Sequence, residues 1–302
     1  MKLPILVVGS VAFDDIETAV GRRDNCMGGS ANYFSMAASF FTQVRLVAVV
    51  GEDFPEAHLD TLRGRDVDLS GLERVPGRTF RWSGRYGADF ADAETLDTQL
   101  NVFEHFEPKV PEAFRDTPIV FLANIHPALQ LDVLDQIRNP SFVAADTMNF
   151  WITGEREKLL EVARRVDLLV INETEARMLA GESNVFQAAE AILRMGPKTL
   201  LIKRGAYGAL LFHADGRFFV PAVPLAEVVD PTGAGDTFAA GAIGWAAGHS
   251  AWDFRSLKRA VLAGTALASF TCEGFSLDRL MTLGREEIDT RVQRLREFMN
   301  PD

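Results

Sequence analysis

Residues 230–238 read Asp-Pro-Thr-Gly-Ala-Gly-Asp-Thr-Phe and run directly into Ala-Ala-Gly-Ala-Ile-Gly at residues 239–244. Gly233, Ala234 and Gly235 allow the chain to turn tightly and allow its backbone to approach a ligand. The following residues predict a helix, whose N-terminal N–H groups and dipole attract an anion. Asp236, at the mouth of such an anion site, is suited to take a proton from a hydroxyl group. The stretch therefore indicates phosphoryl transfer.

The same spacing also fits a purely structural role for Asp236. Aspartate is a preferred N-cap residue, and this one could cap a helix that packs through its small residues. The spacing alone does not separate the catalytic role from the capping role.

Outward from this stretch, buried strands alternate with helical patterns. The predicted strands are Ile5–Gly9, Arg45–Val50, Ile119–Ala123, Phe142–Asp146, Leu168–Asn172 and Thr199–Lys203. Helices are predicted from Gly28-Gly29-Ser30 to Phe41 and at Leu129–Arg138, Glu155–Arg164, Glu173–Ala180 and Val185–Met195. This alternation predicts an α/β fold, with a mostly parallel central sheet covered by helices on both faces.

Three regions depart from the alternation. Leu69–Asn101 contains the alternating, aromatic stretch TFRWSGRY and predicts a small antiparallel insertion outside the main sheet. Gly208–Phe212 and Arg217–Val220 predict a hairpin. The C-terminal third is helical, at Gly233–Gly248, Asp253–Phe270 and Arg285–Met299. The chain contains no internal repeat and no obvious linker, so residues 1–302 are expected to form one domain, to which residues 69–101 contribute the insertion.

Composition excludes several classes of protein. The net charge of -11 repels phosphate groups, so nucleic acid binding is not expected as the main function. The two cysteines, Cys26 and Cys272, belong to no zinc-binding cluster and indicate a reducing compartment. No apolar run is long enough for a transmembrane helix, and the first residues do not fit a signal peptide. We therefore expect a cytoplasmic protein without a membrane partner.

The motifs together resemble those of the ribokinase-like (PfkB-type) carbohydrate kinases. Residues 230–238 resemble the family's C-terminal signature, and Gly28-Gly29 with the following helix resembles its N-terminal glycine signature. Further matches are Gly9 with Asp14, Val50–Phe54, Asn172-x-x-Glu175, and Lys203-Arg-Gly205 with Gly208. The sequence GxxxxGK[ST] is absent, which argues against a P-loop kinase.

The resemblance implies a three-layer sandwich with a small β-sheet lid, and transfer of the γ-phosphate of ATP to a hydroxymethyl group of a sugar. It implies that Asp236 is the base and that the N–H groups of Gly233, Ala234, Gly235 and Asp236 hold the phosphate. Asp14, Gly28 and Gly29 would bind the acceptor. Asn172, Glu175, Lys203, Gly205 and Gly208 would bind the nucleotide, with Glu175 holding Mg²⁺ through water. Asp230, with backbone carbonyls near Ser269, Cys272 and Gly274, would hold a monovalent cation such as K⁺.

The sequence departs from the family pattern at three places. Tyr33 stands where asparagine is usual, and Asn32 lies one position earlier, so either is a candidate acceptor contact. Tyr33 equally fits a core aromatic. Pro231 replaces a commoner threonine and stiffens the approach to the loop. Asp146-Thr-Met-Asn149 only loosely resembles the family's Asp-Pro-Asn.

Other residues are candidates for acceptor binding or for contacts between subunits. Asn124 and His126 follow a predicted strand, at the sheet edge where ligands gather in α/β proteins, or they serve as loop caps. Arg81, Trp82 and Arg85 alternate along the insertion and fit lid closure, a homodimer face or a solvated surface.

The acceptor class remains open on sequence grounds. A free sugar is the leading prediction, and a ribonucleoside stacked on Tyr33, Trp82 and Phe106 is the alternative. A non-catalytic sensor with this fold would not need Asp236. A dinucleotide-dependent oxidoreductase is disfavoured, because residues 9–14 read Gly-Ser-Val-Ala-Phe-Asp and lack GxGxxG.

Overall fold

The computed structural model describes residues 2–87, 90 and 93–300. Four positions of the predicted insertion (88, 89, 91 and 92) lie outside the described residues. The same holds for positions 1, 301 and 302 at the ends of the predicted domain.

The strands form two sheets. Strands of the large sheet are β1 (Ile5–Val8), β4 (Val44–Gly51), β5 (Val67–Val75), β8 (Ile119–Leu122), β9 (Phe142–Asp146), β10 (Leu168–Asn172), β11 (Thr199–Lys203), β12 (Ala209–His213) and β13 (Gly216–Val220). Strands of the small sheet are β2 (Ala12–Thr18), β3 (Gly21–Gly28), β6 (Phe80–Tyr86) and β7 (Ala93–Gln99). The large sheet has the order β13-β12-β11-β10-β9-β8-β1-β4-β5, and it is parallel except for the predicted hairpin β12–β13 and its pairing with β11.

Helices cover both faces of the large sheet. They are α1 (Ser30–Ala38), α2 (Glu56–Arg63), α3 (Pro127–Gln136), α4 (Asn149–Gly154), α5 (Arg156–Arg165), α6 (Glu173–Ala180), α7 (Val185–Met195), α8 (Ala234–His249), α9 (Phe254–Thr271), α10 (Asp278–Thr282) and α11 (Arg285–Met299). Short 3₁₀ turns occupy residues 101–105, 112–114 and 205–207. Of these helices, none combines the length and the apolar composition that crossing a lipid bilayer requires.

The alternation of side chains along each strand builds two cores. In β1, Ile5 and Val7 pack in the core that includes residues of α1, α8 and α9, whereas Leu6 and Val8 pack in the core that includes residues of α3, α5 and α7. All four side chains are fully buried. A strand buried on both faces reads as a continuous apolar run, which is why the sequence marked these strands clearly.

Small residues in α8 permit close packing between helices. A Cβ atom added at Gly241 would lie 2.7 Å from the Cα of Gly264 in α9, and one added at Gly244 would lie 3.1 Å from the Cα of Ala38 in α1. The run of glycine and alanine after Asp236 therefore brings α8 against both neighbours and fixes its N-terminus at the sheet edge.

The small sheet differs from the predicted insertion. Its members pair in the order β3-β2-β6-β7, with β2 and β6 parallel. The prediction that this sheet begins at residue 69 is wrong, because β5 pairs with β4 along the edge of the large sheet. Strands β2 and β3 were not predicted. They pair with each other as neighbours in sequence, but β2 also pairs with β6, 68 residues further along the chain, and this distant pairing joins them to the lid.

Candidate active site

The N-terminus of α8 lies at the carboxyl edge of the large sheet. Gly233 is the N-cap residue, with φ of 74°, a left-handed conformation that glycine adopts without strain. A Cβ atom at this position would lie 2.2 Å from the ring of Tyr33, so a larger residue does not fit. Asp236 is the third residue of the helix and not its N-cap. The capping interpretation is therefore wrong. The N–H of Ala234 donates to the carbonyl of Pro231 at 3.0 Å, so of the four predicted anion donors this one is used within the turn, and the predicted anion site rests on the N–H groups of Gly233, Gly235 and Asp236.

The carboxyl group of Asp236 has the properties of a base near neutral pH. Asp236 is partly exposed to solvent, although protein atoms surround its carboxyl group. Burial raises the pKa of Asp236 to about 7; repulsion from Asp146 adds to the rise, and Lys203 opposes it. A general base works best when its pKa lies near the working pH.

An ammonium group lies beside this turn. The Nζ atom of Lys203, at the end of β11, donates a hydrogen bond of 3.0 Å to Oδ2 of Asp146, at the end of β9. Nζ also lies 3.3 Å from the point where a Cβ of Gly235 would be. Burial lowers the pKa of Lys203, but the negative charges of Asp146, Glu175 and Asp236 outweigh burial and hold this pKa above its usual range. Lys203 therefore supplies a permanent positive charge at the edge of the turn.

Asp146 is a site residue that the sequence analysis did not assign. It is 3% exposed, and its Oδ1 accepts a hydrogen bond of 2.8 Å from the N–H of Thr147. The sequence feature that could have identified Asp146 is its position at the carboxyl end of a buried parallel strand, where ligands of open α/β sheets bind.

Asn172 and Glu175 form the start of α6. The N–H of Glu175 donates to Oδ1 of Asn172 at 2.7 Å, and the N–H of Asn172 donates to Oε2 of Glu175 at 2.8 Å. This capping box fixes both side chains next to the end of β11. The charges of Glu175, Asp146 and Asp236 all act on Lys203, so these four side chains form one charged cluster.

Asp14 lies beside the predicted glycine pair. It is 4% exposed, and its carboxyl group fills the space above Gly28, where a Cβ would lie 2.0 Å from its Cγ. Gly29 has φ of 92° and approaches the carbonyl of Ser10 too closely for any side chain. Burial raises the pKa of Asp14 to about 8, and the charges of Asp230 and Asp236 contribute to the rise.

The small sheet β3-β2-β6-β7 is the counterpart of the predicted lid, and its two faces carry different side chains. Arg81 donates to both carboxylate oxygens of Asp15 at 3.0 and 2.9 Å, and Arg85 pairs with Glu17 at 2.9 Å. These ion pairs occupy one face, so the structure supports a lid-internal role for the two arginines. Trp82 is the register partner of Asp14 on the adjacent strand and shares its face.

A second lid residue, Tyr86, contacts the loop before α8 (residues 230–233). The hydroxyl of Thr232 lies 3.3 Å from the hydroxyl oxygen of Tyr86 and donates to it. Burial raises the pKa of Tyr86 above its usual range. The inner face of the lid, carrying Trp82 and Tyr86, therefore lies between Asp14 and the loop before α8.

Three aromatic or polar predictions for the acceptor site are not supported. Tyr33 is 1% exposed with its ring against Gly233, so it is the core aromatic of the two alternatives. Asn32 is fully buried, and its amide donates to the carbonyl of Gly28 at 2.8 Å, which supports the glycine pair from below. Phe106 is 5% exposed and stacks on Phe103, so it cannot stack on a base.

Asn124 and His126 face the segment around α4. The amide of Asn124 donates to the sulfur of Met148 at 3.2 Å and its oxygen accepts from the indole N–H of Trp151 at 3.0 Å. His126 is the N-cap of α3, where its Nδ1 accepts from the N–H of Ala128 at 3.1 Å. These bonds fit the loop-capping alternative for His126 and a bracing role for Asn124.

The turn after β11 carries Gly205 and Gly208, which the family resemblance places at the nucleotide. Gly205 has φ of 53° with open space where a Cβ would be, and Gly208 has φ of 90° with its backbone against the carbonyl of Val220. The N–H of Arg204 donates to the carbonyl of Gly208 at 2.8 Å, which closes the turn. The open side at Gly205 leaves room for a ligand.

Asp230 ties the catalytic loop to the segment after α9. It is fully buried; Oδ1 accepts from the N–H of Thr232 at 2.8 Å and Oδ2 accepts from the N–H of Ser276 at 2.9 Å. The carbonyl of Cys272 accepts from the N–H of Val229 at 2.8 Å. These two bonds fix the orientation of the carboxylate, and each oxygen keeps a lone pair, so the role of Asp230 as a cation ligand stays a prediction.

Comparison with known proteins gives matches over most of the chain. The family model described as pfkB family carbohydrate kinase matches residues 4–280. A cytidine kinase from Thermococcus kodakarensis is 32% identical over 246 residues, which cover 79% of this chain and 87% of the relative. A nucleoside kinase from Methanocaldococcus jannaschii is 25% identical over 257 residues, covering 82% of this chain and 78% of the relative.

Solved structures share the fold. The crystal structure of the Methanocaldococcus jannaschii nucleoside kinase superposes with a TM-score of 0.79 at 22% identity, covering 97% of this chain and 99% of that one. A putative ribokinase II from E. coli, in complex with ATP and Mg²⁺, superposes with a TM-score of 0.81 at 19% identity and the same coverage of both chains. The predicted three-layer architecture is confirmed.

Proposed function

The chain belongs to the pfkB family of carbohydrate kinases, as its sequence predicted, and we propose that it transfers the γ-phosphate of ATP to the 5′-hydroxyl of a ribonucleoside. Members of this family are phosphotransferases with an alcohol group as acceptor, so the enzyme class follows from membership. The 5′-hydroxyl of a nucleoside is a hydroxymethyl group on a sugar. The sequence analysis gave a ribonucleoside as the alternative to a free sugar, and the proposal adopts that alternative.

The observation that carries the proposal is the position of Asp236 in the first turn of α8. Asp236 takes the proton of the acceptor hydroxyl, and the oxygen then attacks the terminal phosphorus while ADP leaves. The N–H groups of Gly233, Gly235 and Asp236 hold the phosphoryl oxygens, where negative charge must be stabilised during transfer. Lys203 adds positive charge at the same place. No covalent enzyme intermediate is needed.

The residues fit a magnesium ion that arrives with the nucleotide. Within residues 2–87, 90 and 93–300, no group of three or more His, Cys, Asp or Glu side chains is placed to hold a metal by itself. Mg²⁺ in kinases is held mainly by phosphates and waters, with one or two carboxylates. Glu175, close to Lys203, is the carboxylate that would order its water shell. When bound, Mg²⁺ neutralises charge on the phosphates that one lysine cannot balance.

Potassium is left out of the proposal. Each oxygen of Asp230 accepts one backbone hydrogen bond and keeps a second lone pair, and a monovalent cation at this carboxylate stays a prediction of the family resemblance.

The lid supports the choice of a nucleoside over a free sugar. On one face of the lid, the Trp82 ring lies over Gly84 and its indole N–H donates to Oγ1 of Thr95 at 3.2 Å, so a flat aromatic surface lies on the face that Asp14 shares through its register with Trp82. Asp14 would bind the ribose hydroxyls while Trp82 covers the base. Two curated relatives carry the names cytidine kinase and nucleoside kinase, which supports the same acceptor class.

A panel of acceptors tests this function. Purified enzyme with ATP and Mg²⁺ is offered cytidine, other ribonucleosides, ribose, fructose and a 2-keto-3-deoxy sugar acid, and ADP formation is followed by a coupled assay. We expect turnover with at least one nucleoside at a kcat/KM at least tenfold above that for any free sugar. Turnover of free sugars only would reject the nucleoside and leave the kinase assignment intact.

The Trp82→Ala variant tests the base contact. Loss of base stacking is expected to raise the KM for the nucleoside about tenfold, since stacking contributes roughly 1–3 kcal/mol per base. Trp82→Phe should retain most of the affinity. Arg85→Ala, on the opposite face of the same strand, is the control and should leave the KM unchanged.

Dimerisation and location are part of the proposal as well. The small sheet ends in β3 and β7, whose outer residues are mostly exposed in the single chain, and these edges suit a homodimer formed through the lids. Light scattering of the purified protein tests the dimer. The proposed location is the cytoplasm, where ATP and nucleosides are present.

A further inference from the structure

The ion pair between Asp146 and Lys203 is built more firmly than a surface ion pair. Asp146 is 3% exposed, and its two oxygens have separate partners, Thr147 N–H at 2.8 Å and Lys203 Nζ at 3.0 Å. The amide of Gln130, itself 1% exposed, donates to the carbonyl of Asp146 at 3.0 Å and fixes the backbone there. The carboxylate is therefore held in one orientation.

A lysine at this place needs such a partner. Its side chain has several rotatable bonds and a compact charge that is strongly hydrated, so an untethered ammonium would sample many positions. The carboxylates of Glu175 and Asp236 also attract it. The bond to Asp146 selects the position in which Nζ lies beside Gly235, at the edge of the phosphate turn.

The tethered ammonium keeps donors for a ligand. A lysine ammonium has three N–H donors, and Asp146 accepts one of them. Two donors are left to reach phosphoryl oxygens held by the N–H groups of α8.

We infer that Asp146 is a positioning residue for phosphoryl transfer, which acts by holding the ammonium of Lys203 against the phosphate-binding turn of α8. This inference rests on the proposed function, because it assumes that a phosphoryl group is transferred at that turn. It predicts that Asp146 and Lys203 act as one unit, and that Asp146 acts through Lys203 and not through a metal ion.

The test is a double-mutant cycle on kcat with Asp146→Ala, Lys203→Met and the combined variant. Removal of one oxyanion donor typically lowers kcat by about 10²–10³-fold, and we expect Lys203→Met to fall in that range. Asp146→Ala should lower kcat at least tenfold, while the KM for the acceptor stays within about twofold. The combined variant should be no slower than Lys203→Met alone, because the tether has no role without the lysine. Multiplied losses in the combined variant would overturn the inference.

A second measurement separates positioning of Lys203 from binding of Mg²⁺. The Mg²⁺ concentration that gives half-maximal rate should be the same for Asp146→Ala and for the unmodified enzyme. Recovery of kcat at high Mg²⁺ would show that Asp146 serves the metal, and would overturn the inference. Asp146→Asn, which keeps the shape and an acceptor oxygen, should retain the fold by circular dichroism and show an intermediate kcat.

The chain contains a matched control pair. Asp167 binds Lys198 Nζ at 2.8 Å with one oxygen and the N–H of Val143 at 3.0 Å with the other, and this pair lies just before β10 and β11, at the opposite edge of the large sheet. Asp167→Ala should leave kcat unchanged. If the unmodified enzyme transfers phosphate to no acceptor, the proposed function fails. If it does transfer phosphate and Asp146→Ala keeps full kcat, only the positioning role fails.

Discussion

Replacing Asp14 by asparagine should stabilise the unliganded protein, and the gain should grow with pH. Burial raises the pKa of Asp14 from 3.8 to about 8, so the folded protein keeps a proton that the unfolded chain loses. A group with a raised pKa contributes its full stability below pH 3.8 and loses it as the pH rises towards 8. Asparagine has the shape of the protonated carboxyl group and cannot ionise.

The size of the effect follows from proton linkage. Between the two pKa values the folded state binds one proton more, so the free energy of unfolding falls by about 1.4 kcal/mol for each pH unit. From pH 5 to pH 7 the gap between Asp14→Asn and the unmodified protein should therefore widen by up to about 3 kcal/mol.

Urea unfolding, followed by circular dichroism without nucleotide or acceptor, measures this gap at several pH values. Asp24→Asn is the control, because Asp24 is exposed and pairs only with Arg22 at the surface. The Asp14→Asn variant should also lose acceptor binding, since Asp14 is the proposed ligand of the ribose hydroxyls. A gap that stays constant from pH 5 to pH 7, or a variant less stable than the unmodified protein at pH 7, would refute the reasoning.

Three further predictions concern the turn before α8. Asp236→Asn should lower kcat by about 10²–10⁴-fold in the coupled assay, while ATP affinity measured by calorimetry changes little; an equal loss of ATP affinity would contradict a base role. Because the pKa of Asp236 is raised to about 7 and a base acts when deprotonated, kcat/KM for the acceptor should fall about tenfold per pH unit below pH 7, and a flat profile would contradict this. Gly233→Ala should destabilise the protein by roughly 1–3 kcal/mol in thermal unfolding, because its φ is 74° and its Cβ would meet the ring of Tyr33; Gly154→Ala, with open space around it, should have little effect.

Local sequence was sufficient for the parallel strands and for the catalytic turn. Strands such as Leu168–Asn172 and Thr199–Lys203 are buried on both faces, so their apolar runs are visible without knowledge of their neighbours. The turn at residues 230–238 was also readable, because glycine placement and the start of a helix depend on adjacent residues.

The small sheet could not be delimited from sequence. Strand β2 pairs with β6 across about 65 residues, and β5 belongs to the large sheet although it directly precedes the lid strands. Pairing between distant strands depends on which edges meet in three dimensions, and alternation within one strand does not report it.

The sequence by itself determined the fold class and the glycine turn that opens a helix at residues 233–236, because these follow from the chemistry of neighbouring residues, and it offered Asp236 as a candidate base. The tertiary structure decided which side chains surround that base. It placed the carboxylate of Asp146 against the ammonium group of Lys203 and the ring of Tyr33 against Gly233, and it brought Trp82 into register with Asp14. The residues of these pairs are 57 to 200 positions apart, and only the packing of the two sheets and the helices brings them together.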